Sequence, residues 1–139
     1  MPKMPWSNLK KRLNSSYFIM HSRNDDRMVD MCSRRYFSKI LESERARANR
    51  YNHQFSLVVL KFELHEIEKD KIRKVLKQIT ERLRIIDEIG WYGPNCIGII
   101  LPYTSKKGAS QLIKSLNELV DYQISNPTCT ICTYPPGSD

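Results

Sequence analysis

Cysteine and histidine are the side chains in this sequence with the most evident capacity for chemistry. Cys129 and Cys132 form a C-x-x-C pair, a spacing that zinc sites use. A zinc site also needs a second pair or histidines at ligand spacing, whereas His21, His53 and His65 are isolated. Two residues three apart on a strand face opposite sides of the sheet. We therefore interpret the pair as core cysteines and predict no metal site and no cofactor.

Other catalytic patterns are missing from the sequence. It has no Ser/His/Asp arrangement and no phosphate-binding glycine loop, with only 5 glycines in 139 residues.

The longest apolar runs are Leu57–Leu60 and Ile97–Leu101, far short of the roughly 20 residues of a membrane helix. The N-terminal residues lack the apolar stretch of a signal peptide. We expect a cytoplasmic protein with reduced thiols and no transmembrane segment.

Positive charge is concentrated in the first part of the chain. Residues 1–55 carry 12 basic and 5 acidic side chains, whereas residues 56–139 carry 11 and 10, for a net charge of +8. Such a patch favours anionic partners, namely nucleotides, nucleic acid, phospholipid or an acidic protein, although a solvated helix face and a basic tail explain it equally. Few aromatic residues lie between the basic ones and no nucleic-acid-binding motif is present, so nucleic acid is not the favoured partner. The residues that would carry such binding are Arg34, Arg35, Arg45, Arg47 and Arg50.

Hydrophobic periodicity indicates how the chain is organised. Residues 1–25 form a lead-in with apolar residues at helical spacing, and one domain follows over residues 26–139. The predicted elements are a helix from Arg35 to about Tyr51, a buried strand over Gln54–Glu63, a helix from Glu66 to about Arg84, strands over Asp87–Tyr92 and Cys96–Leu101, a helix capped by Thr104 or Ser105, and a last strand over Thr128–Thr133.

The next-to-last of these elements is predicted as one continuous helix. Its core face is predicted to consist of Ala109, Leu112, Ile113, Leu116, Leu119 and Val120. The order of elements then gives an α+β protein with a ferredoxin-like β-α-β-β-α-β core. Its antiparallel sheet has helices on one face, and an N-terminal helix precedes it. In that arrangement the end of the first strand meets the hairpin turn.

Three segments together with this layout resemble the GGDEF family of diguanylate cyclases. Asp26–Phe37 reads DRMVDMCSRRYF, similar to the family's D-x-L-T-G-L-x-N-R-R-x-F. Lys61-Phe62-Glu63 stands where the family's first strand ends in D-[ILV]-D. Trp91–Pro102 reads WYGPNCIGIILP in place of R-[LY]-G-G-D-E-F-x-[ILV]-[ILV]-L-P, so Gly93, Pro94, Asn95, Cys96 and Ile97 occupy the signature turn. The resemblance implies a bacterial signalling domain.

The resemblance also implies that catalysis has been lost. In the family, the first Asp of D-x-D and the Glu of the signature turn hold magnesium, and Lys61 and Cys96 stand in their places. An ammonium repels a cation, and a thiol is a poor ligand for a hard ion. Glu63 matches the second Asp, and a single carboxylate beside a lysine is weak support for a metal. We expect no cyclase activity.

The nucleotide-binding elements of the family depart from its pattern as well. The second turn glycine is Pro94, which has no backbone N–H, and the Asn that reads guanine is Ser33. The family's base-pocket stretch has no counterpart between Lys61 and Gly93.

One ligand-binding motif of the family is retained in spacing. Many GGDEF domains carry an inhibitory R-x-x-D site for cyclic di-GMP five residues before the turn, and Arg84-Ile85-Ile86-Asp87 matches it. The arginine fork suits phosphate and guanine edges, and the carboxylate can accept hydrogen bonds from guanine. An ordinary helix end followed by a strand would show the same four residues. Cyclic di-GMP is therefore the ligand to test.

The resemblance finally bears on partners. The family continues past the equivalent of Thr133 with a helix that covers the sheet, and the chain stops at Asp139, so the domain is expected to be C-terminally shortened. An uncovered apolar face would favour a protein partner or self-association, with a dimer as the simplest outcome. The expected function is an inactive regulatory or interaction module. The alternatives are a divergent nucleotidyl transferase with altered metal ligands and a basic nucleic-acid-binding module.

Overall fold

The computed structural model describes residues 31–63 and 69–136. The lead-in over residues 1–25 and the first part of the opening motif lie outside these residues. The elements are α1 (Arg34–Tyr51), β1 (Phe55–Lys61), α2 (Lys69–Glu81), β2 (Glu88–Gly93), β3 (Cys96–Pro102), α3 (Lys106–Leu116), α4 (Val120–Ser125) and β4 (Thr128–Tyr134).

The four strands form one antiparallel sheet in the order β2-β3-β1-β4. β1, α2 and β2 form a β-α-β unit, and β3 lies between its two strands. This is the strand order of a ferredoxin-like core, so the predicted core is confirmed. β1 lies between β3 and β4, and five of its seven residues are buried, in agreement with its nearly continuous apolar sequence.

One face of the sheet is covered by α2, α3 and α4. Val58 and Leu60 of β1 pack there with Ile97 and Ile99 of β3, and all four are fully buried. Apolar residues that recur at helical spacing along α2 fill the other side of this core. These residues are Ile72, Val75, Leu76 and Ile79.

The opposite face of the sheet is covered by α1. Its apolar stripe places Phe37, Ile40 and Ala48 against Phe55 and Leu57 of β1. The sheet therefore has helices on both faces, and the bare apolar face expected from the sequence is largely occupied. The five arginines of α1 named above are all exposed.

Two facing glycines allow α1 to approach the sheet closely. Gly90 of β2 pairs directly with Gly98 of β3 beneath the ring of Phe37. A Cβ on Gly98 would lie 2.7 Å from Phe37 Cε2, and one on Gly90 would lie 2.7 Å from Phe37 Cδ1. The ring therefore fills the space that two side chains would otherwise take.

The predicted single helix after β3 is wrong in its second half. Ser105 caps α3 by accepting a hydrogen bond from Gly108 N at 3.2 Å, as predicted, but α3 ends at Leu116 with Asn117 as C-cap. The backbone is extended at Leu119, and α4 starts at Val120. Because this break resets the helical phase, Val120 is 68% exposed and Tyr122 is buried in its place.

The helices of the described residues do not have the properties of membrane-spanning helices. None within residues 31–63 and 69–136 combines the length and the apolar character that crossing a membrane requires.

Candidate functional site

The end of β1 and the hairpin turn meet as predicted. Lys61 pairs directly with Cys96 across β1 and β3, so both side chains are on the α1 face. Directly opposite residues in antiparallel strands have Cβ atoms roughly 4.5–5.5 Å apart. Lys61 is exposed and Cys96 is partly buried. An ammonium and a thiol therefore share the position that the resemblance assigns to two metal-binding carboxylates.

The hairpin turn between β2 and β3 consists of Pro94 and Asn95. Asn95 has a left-handed backbone with φ of 56°, which asparagine tolerates better than most residues. Its carbonyl oxygen accepts a hydrogen bond from Phe62 N at 2.9 Å, which fixes the turn to the end of β1. Pro94 contributes no N–H donor, so the turn offers fewer backbone donors to an anion than a glycine pair would.

The start of α1 lies beside the same end of the sheet. Cys32 forms a parallel bridge to Gly90, with Cys32 N donating to Ile89 O at 3.2 Å. The next residue, Ser33, is the N-cap of α1, and its hydroxyl oxygen accepts a hydrogen bond from Tyr36 N at 3.2 Å. The residue at the guanine-reading position of the family pattern therefore caps a helix here.

The hairpin end does not fit magnesium. Among residues 31–63 and 69–136, no three His, Cys, Asp or Glu side chains converge on a point that could hold a metal ion. Lys61 beside Cys96 adds a positive charge and a soft ligand to a place where a hard cation needs oxygen.

The C-x-x-C pair is divided between the two faces of the sheet. Cys129 pairs with Leu60 of the α2 face and Cys132 pairs with Leu57 of the α1 face, as the spacing predicted. Burial raises the pKa of the Cys129 thiol, whereas Cys132 is exposed, so the interpretation of both as core cysteines is wrong for Cys132. Opposite orientations prevent the two sulfurs from sharing one ion.

At the other end of β2, Arg84 and Asp87 are joined in a tight turn. Arg84 Nη2 donates to Asp87 Oδ1 at 2.8 Å, and Arg84 N donates to Asp87 Oδ2 at 2.7 Å. Asp87 is 2% exposed, while the Arg84 side chain is half exposed. The carboxylate therefore orients the guanidinium, and of the two side chains Arg84 is the one that a ligand can reach.

Arg84 also crosses to the end of β3. Its Nη2 atom lies 2.9 Å from both Pro102 O and Thr104 Oγ1, so its two hydrogens are shared among these two acceptors and Asp87 Oδ1. A pocket of about 370 Å³ lies here, within the roughly 300–1,000 Å³ of ordinary ligand pockets. We call it the arginine pocket. Its polar and aromatic lining consists of Arg82, Arg84, Asp87, Tyr103 and Thr104.

A second pocket adjoins the first at the C-terminal end of α1. Its volume is about 460 Å³, and we call it the amide pocket. Its main lining residues are Asn49, Asn52, His53, Gln54, Tyr103 and Tyr134.

A buried carboxylate supports the wall of the amide pocket. His53 Nε2 lies 3.0 Å from Glu44 Oε2, and Arg47 Nη1 donates to Glu44 Oε1 at 3.3 Å. Glu44 is 4% exposed, so these two contacts compensate a buried carboxylate. The ring of His53 packs on Tyr103 with centroids 4.3 Å apart.

Tyr103 is the residue that sequence reasoning missed. It lines both pockets, is 59% exposed, and has a left-handed backbone with φ of 57°. The only signal in the sequence is its place directly after the strand-ending Pro102. The signature turn and the R-x-x-D turn were both identified through the resemblance to the GGDEF family, and the structure places them at opposite ends of β2, about 20 Å apart for six residues.

Comparison with solved structures shows which fold this is. A diguanylate cyclase from Thermotoga maritima superposes with a TM-score of 0.63 and 16% identity, over 78% of this chain and 85% of that one. The coiled coil and GGDEF domain of DgcB from Caulobacter crescentus, in complex with c-di-GMP, gives 0.65 and 15%, over 91% and 74%. The diguanylate cyclase SiaD from Pseudomonas aeruginosa, in complex with its activator SiaC, gives 0.61 and 17%, over 96% and 58%.

Two further comparisons gave no relative. No family model matches the chain, and no curated protein is significantly similar to it. The structural likenesses show that the chain has the fold of GGDEF domains, as the sequence resemblance predicted.

Proposed function

We propose that this chain is a GGDEF-like signalling domain that does not synthesise cyclic di-GMP and serves as a regulatory or interaction module. The observation that carries the proposal is the direct pairing of Lys61 with Cys96 beside the hairpin turn. A lysine and a cysteine cannot supply the oxygen ligands that a magnesium-bound triphosphate requires. The scaffold is retained while the chemistry of its reactive end is changed.

Cyclic di-GMP binding is the second part of the proposal. Arg84 is held in a fixed orientation by Asp87, is half exposed, and lines a pocket that also contains Arg82. A planar, permanently charged guanidinium in a fixed orientation is suited to a phosphate or to the edge of a guanine. Complexes of DgcB and of Vibrio cholerae LapD with c-di-GMP are among the structures of the same fold.

Calorimetric titration with cyclic di-GMP tests this part. The wild type is expected to bind, and Arg84→Ala is expected to weaken binding at least about tenfold, since a charge-assisted hydrogen bond to phosphate contributes about 1.5–3 kcal/mol. Lys77→Ala is the matched control, because it removes one positive charge from an exposed position of α2. Absence of binding by the folded wild type at high micromolar ligand contradicts the proposal.

Self-association is the third part. β4 is an edge strand of seven residues, and no other strand among residues 31–63 and 69–136 pairs with its outer side. The strand contains no charged residue and no proline, the two features by which edge strands commonly avoid pairing. The support for a dimer therefore comes from this edge, since α1 covers the face from which the sequence predicted it.

A further inference from the structure

The arginine pocket and the amide pocket share one wall. Tyr103 lines both, and the residues on either side of it accept hydrogen bonds from Arg84, through Pro102 O and Thr104 Oγ1. The Arg84 guanidinium is therefore hydrogen-bonded to the residues directly before and after an exposed tyrosine. A phosphate bound by Arg84 would lie beside that ring.

The chemistry of the two pockets differs in a complementary way. The arginine pocket contains two cationic side chains, Arg82 and Arg84, and its one acid, Asp87, is already paired with Arg84. The amide pocket contains no acidic lining residue. Three carboxamide side chains line it, and each offers both hydrogen-bond donors and acceptors. They are Asn49, Asn52 and Gln54.

We infer that the two pockets form one composite nucleotide site, with phosphate at Arg84, a base stacked on Tyr103, and the hydrogen-bonding edge of the base directed to the carboxamides. A nucleotide joins an anionic group to a planar ring that has donors and acceptors on its edge, and each part matches one pocket. Stacking on one aromatic ring is a common way to hold a base. The inference rests on the proposed function, because it takes Arg84 as the phosphate anchor.

Tyr103 is the residue that distinguishes a composite site from an arginine site alone. Calorimetric titrations with cyclic di-GMP, GMP, guanosine and ribose 5-phosphate are to be made on the wild type, Tyr103→Ala and Tyr103→Phe. Tyr103→Ala is expected to weaken binding of cyclic di-GMP and GMP about tenfold, and Tyr103→Phe to leave it within about twofold, because stacking needs the ring and not the hydroxyl. Ribose 5-phosphate is expected to bind both variants equally.

A control variant and a spectroscopic measurement make the test specific. Tyr92→Ala removes another partly exposed tyrosine at the opposite end of the sheet and is expected to leave binding unchanged. In ¹⁵N-labelled protein, a nucleotide is expected to shift the side-chain amide signals of Asn49, Asn52 and Gln54. Shifts confined to the arginine pocket contradict the inference.

The outcomes separate this inference from the function proposed above. Cyclic di-GMP binding that depends on Arg84 but is unchanged in Tyr103→Ala overturns the composite site and leaves the proposed function standing. Binding of GMP but not cyclic di-GMP, weakened by Tyr103→Ala, supports the composite site and overturns cyclic di-GMP as the ligand. Binding of no nucleotide by the folded wild type overturns both the composite site and the proposed binding of cyclic di-GMP, and leaves the proposed absence of cyclase activity to its own test.

Discussion

At the scale of single residues, Gly90 and Gly98 set the distance between α1 and the sheet. The ring of Phe37 lies where their side chains would be, and it is 1% exposed, so it has little room to move. Glycine in a strand interior has an entropic cost, and here the close approach of an aromatic ring offsets that cost.

Replacement of Gly98 by alanine is expected to lower the free energy of unfolding by about 1–3 kcal/mol, because the added Cβ lies 2.7 Å from the Phe37 ring. Urea unfolding measures the change. Gly93→Ala is the matched control, since its Cβ would meet the nearest heavy atom at 3.9 Å. Equal stability of the two variants would show that α1 does not pack on the sheet as described.

Because of Tyr122, the free energy of unfolding is expected to depend on pH in the alkaline range. Burial raises its pKa from 10.0 to about 12, with a smaller contribution from Cys129. The folded state therefore keeps the phenolic proton between pH 10 and 12 while the unfolded state loses it, so this part of the stability is present below pH 10 and is lost as pH rises through that window.

We expect the free energy of unfolding of the wild type to fall more steeply between pH 10 and 12 than that of Tyr122→Phe. Denaturant titrations at a series of pH values measure both slopes. Parallel slopes would contradict a buried, protonated Tyr122.

At the scale of elements, α1 is fixed at its C-terminal end by the buried Glu44. Replacement by alanine leaves His53 without its carboxylate partner and opens space beneath α1, so Glu44→Ala is expected to destabilise the fold by about 1–3 kcal/mol. Glu42→Ala removes an exposed carboxylate from the same helix and is expected to change stability by less than about 0.5 kcal/mol. Thermal unfolding of both variants measures the difference, and a stable Glu44→Ala protein would contradict the role of the pair.

Most elements follow directly from sequence periodicity. α1 was predicted from Arg35 and begins at Arg34, and its residues Phe37, Ile40, Glu44 and Ala48, which recur at helical spacing, are buried. The hairpin was predicted because the turn-forming residues Gly93, Pro94 and Asn95 separate two short strand-like segments. In these places the local pattern and the tertiary packing agree.

The remaining features depend on contacts that no local pattern encodes. The break at Asn117 contains neither proline nor glycine, and the burial of Tyr122 against the core decides the phase of α4. The pairing of both Asp87 oxygens with Arg84 arises from the turn itself, and the four-residue spacing only placed the two side chains near each other. The position of Tyr103 between two pockets needs the folded ends of α1 and β3 together.

At the scale of the whole molecule, the free edge of β4 is the feature that favours a second copy. We expect sedimentation velocity to show a larger species that increases with protein concentration. Thr130→Lys, which adds an exposed charge to β4, is expected to reduce it, and Gln111→Lys, which adds the same charge to α3, is expected to leave it unchanged. A monomer at all concentrations contradicts association through this edge.

The molecule as a whole separates two ends of one sheet. The hairpin end holds Lys61 and Cys96 in place of a metal site, and the opposite end holds Arg84 beside two pockets. This arrangement is the basis of the proposal that the domain binds a nucleotide at one end and catalyses no cyclisation at the other.

We propose that the hairpin end does not catalyse the cyclisation of GTP. The most direct measurement is incubation of the folded protein with GTP and Mg²⁺ or Mn²⁺, followed by quantification of pyrophosphate and cyclic di-GMP. We predict that neither product rises above a protein-free control. Formation of cyclic di-GMP that requires the divalent ion and increases with protein concentration would contradict the proposed absence of cyclase activity.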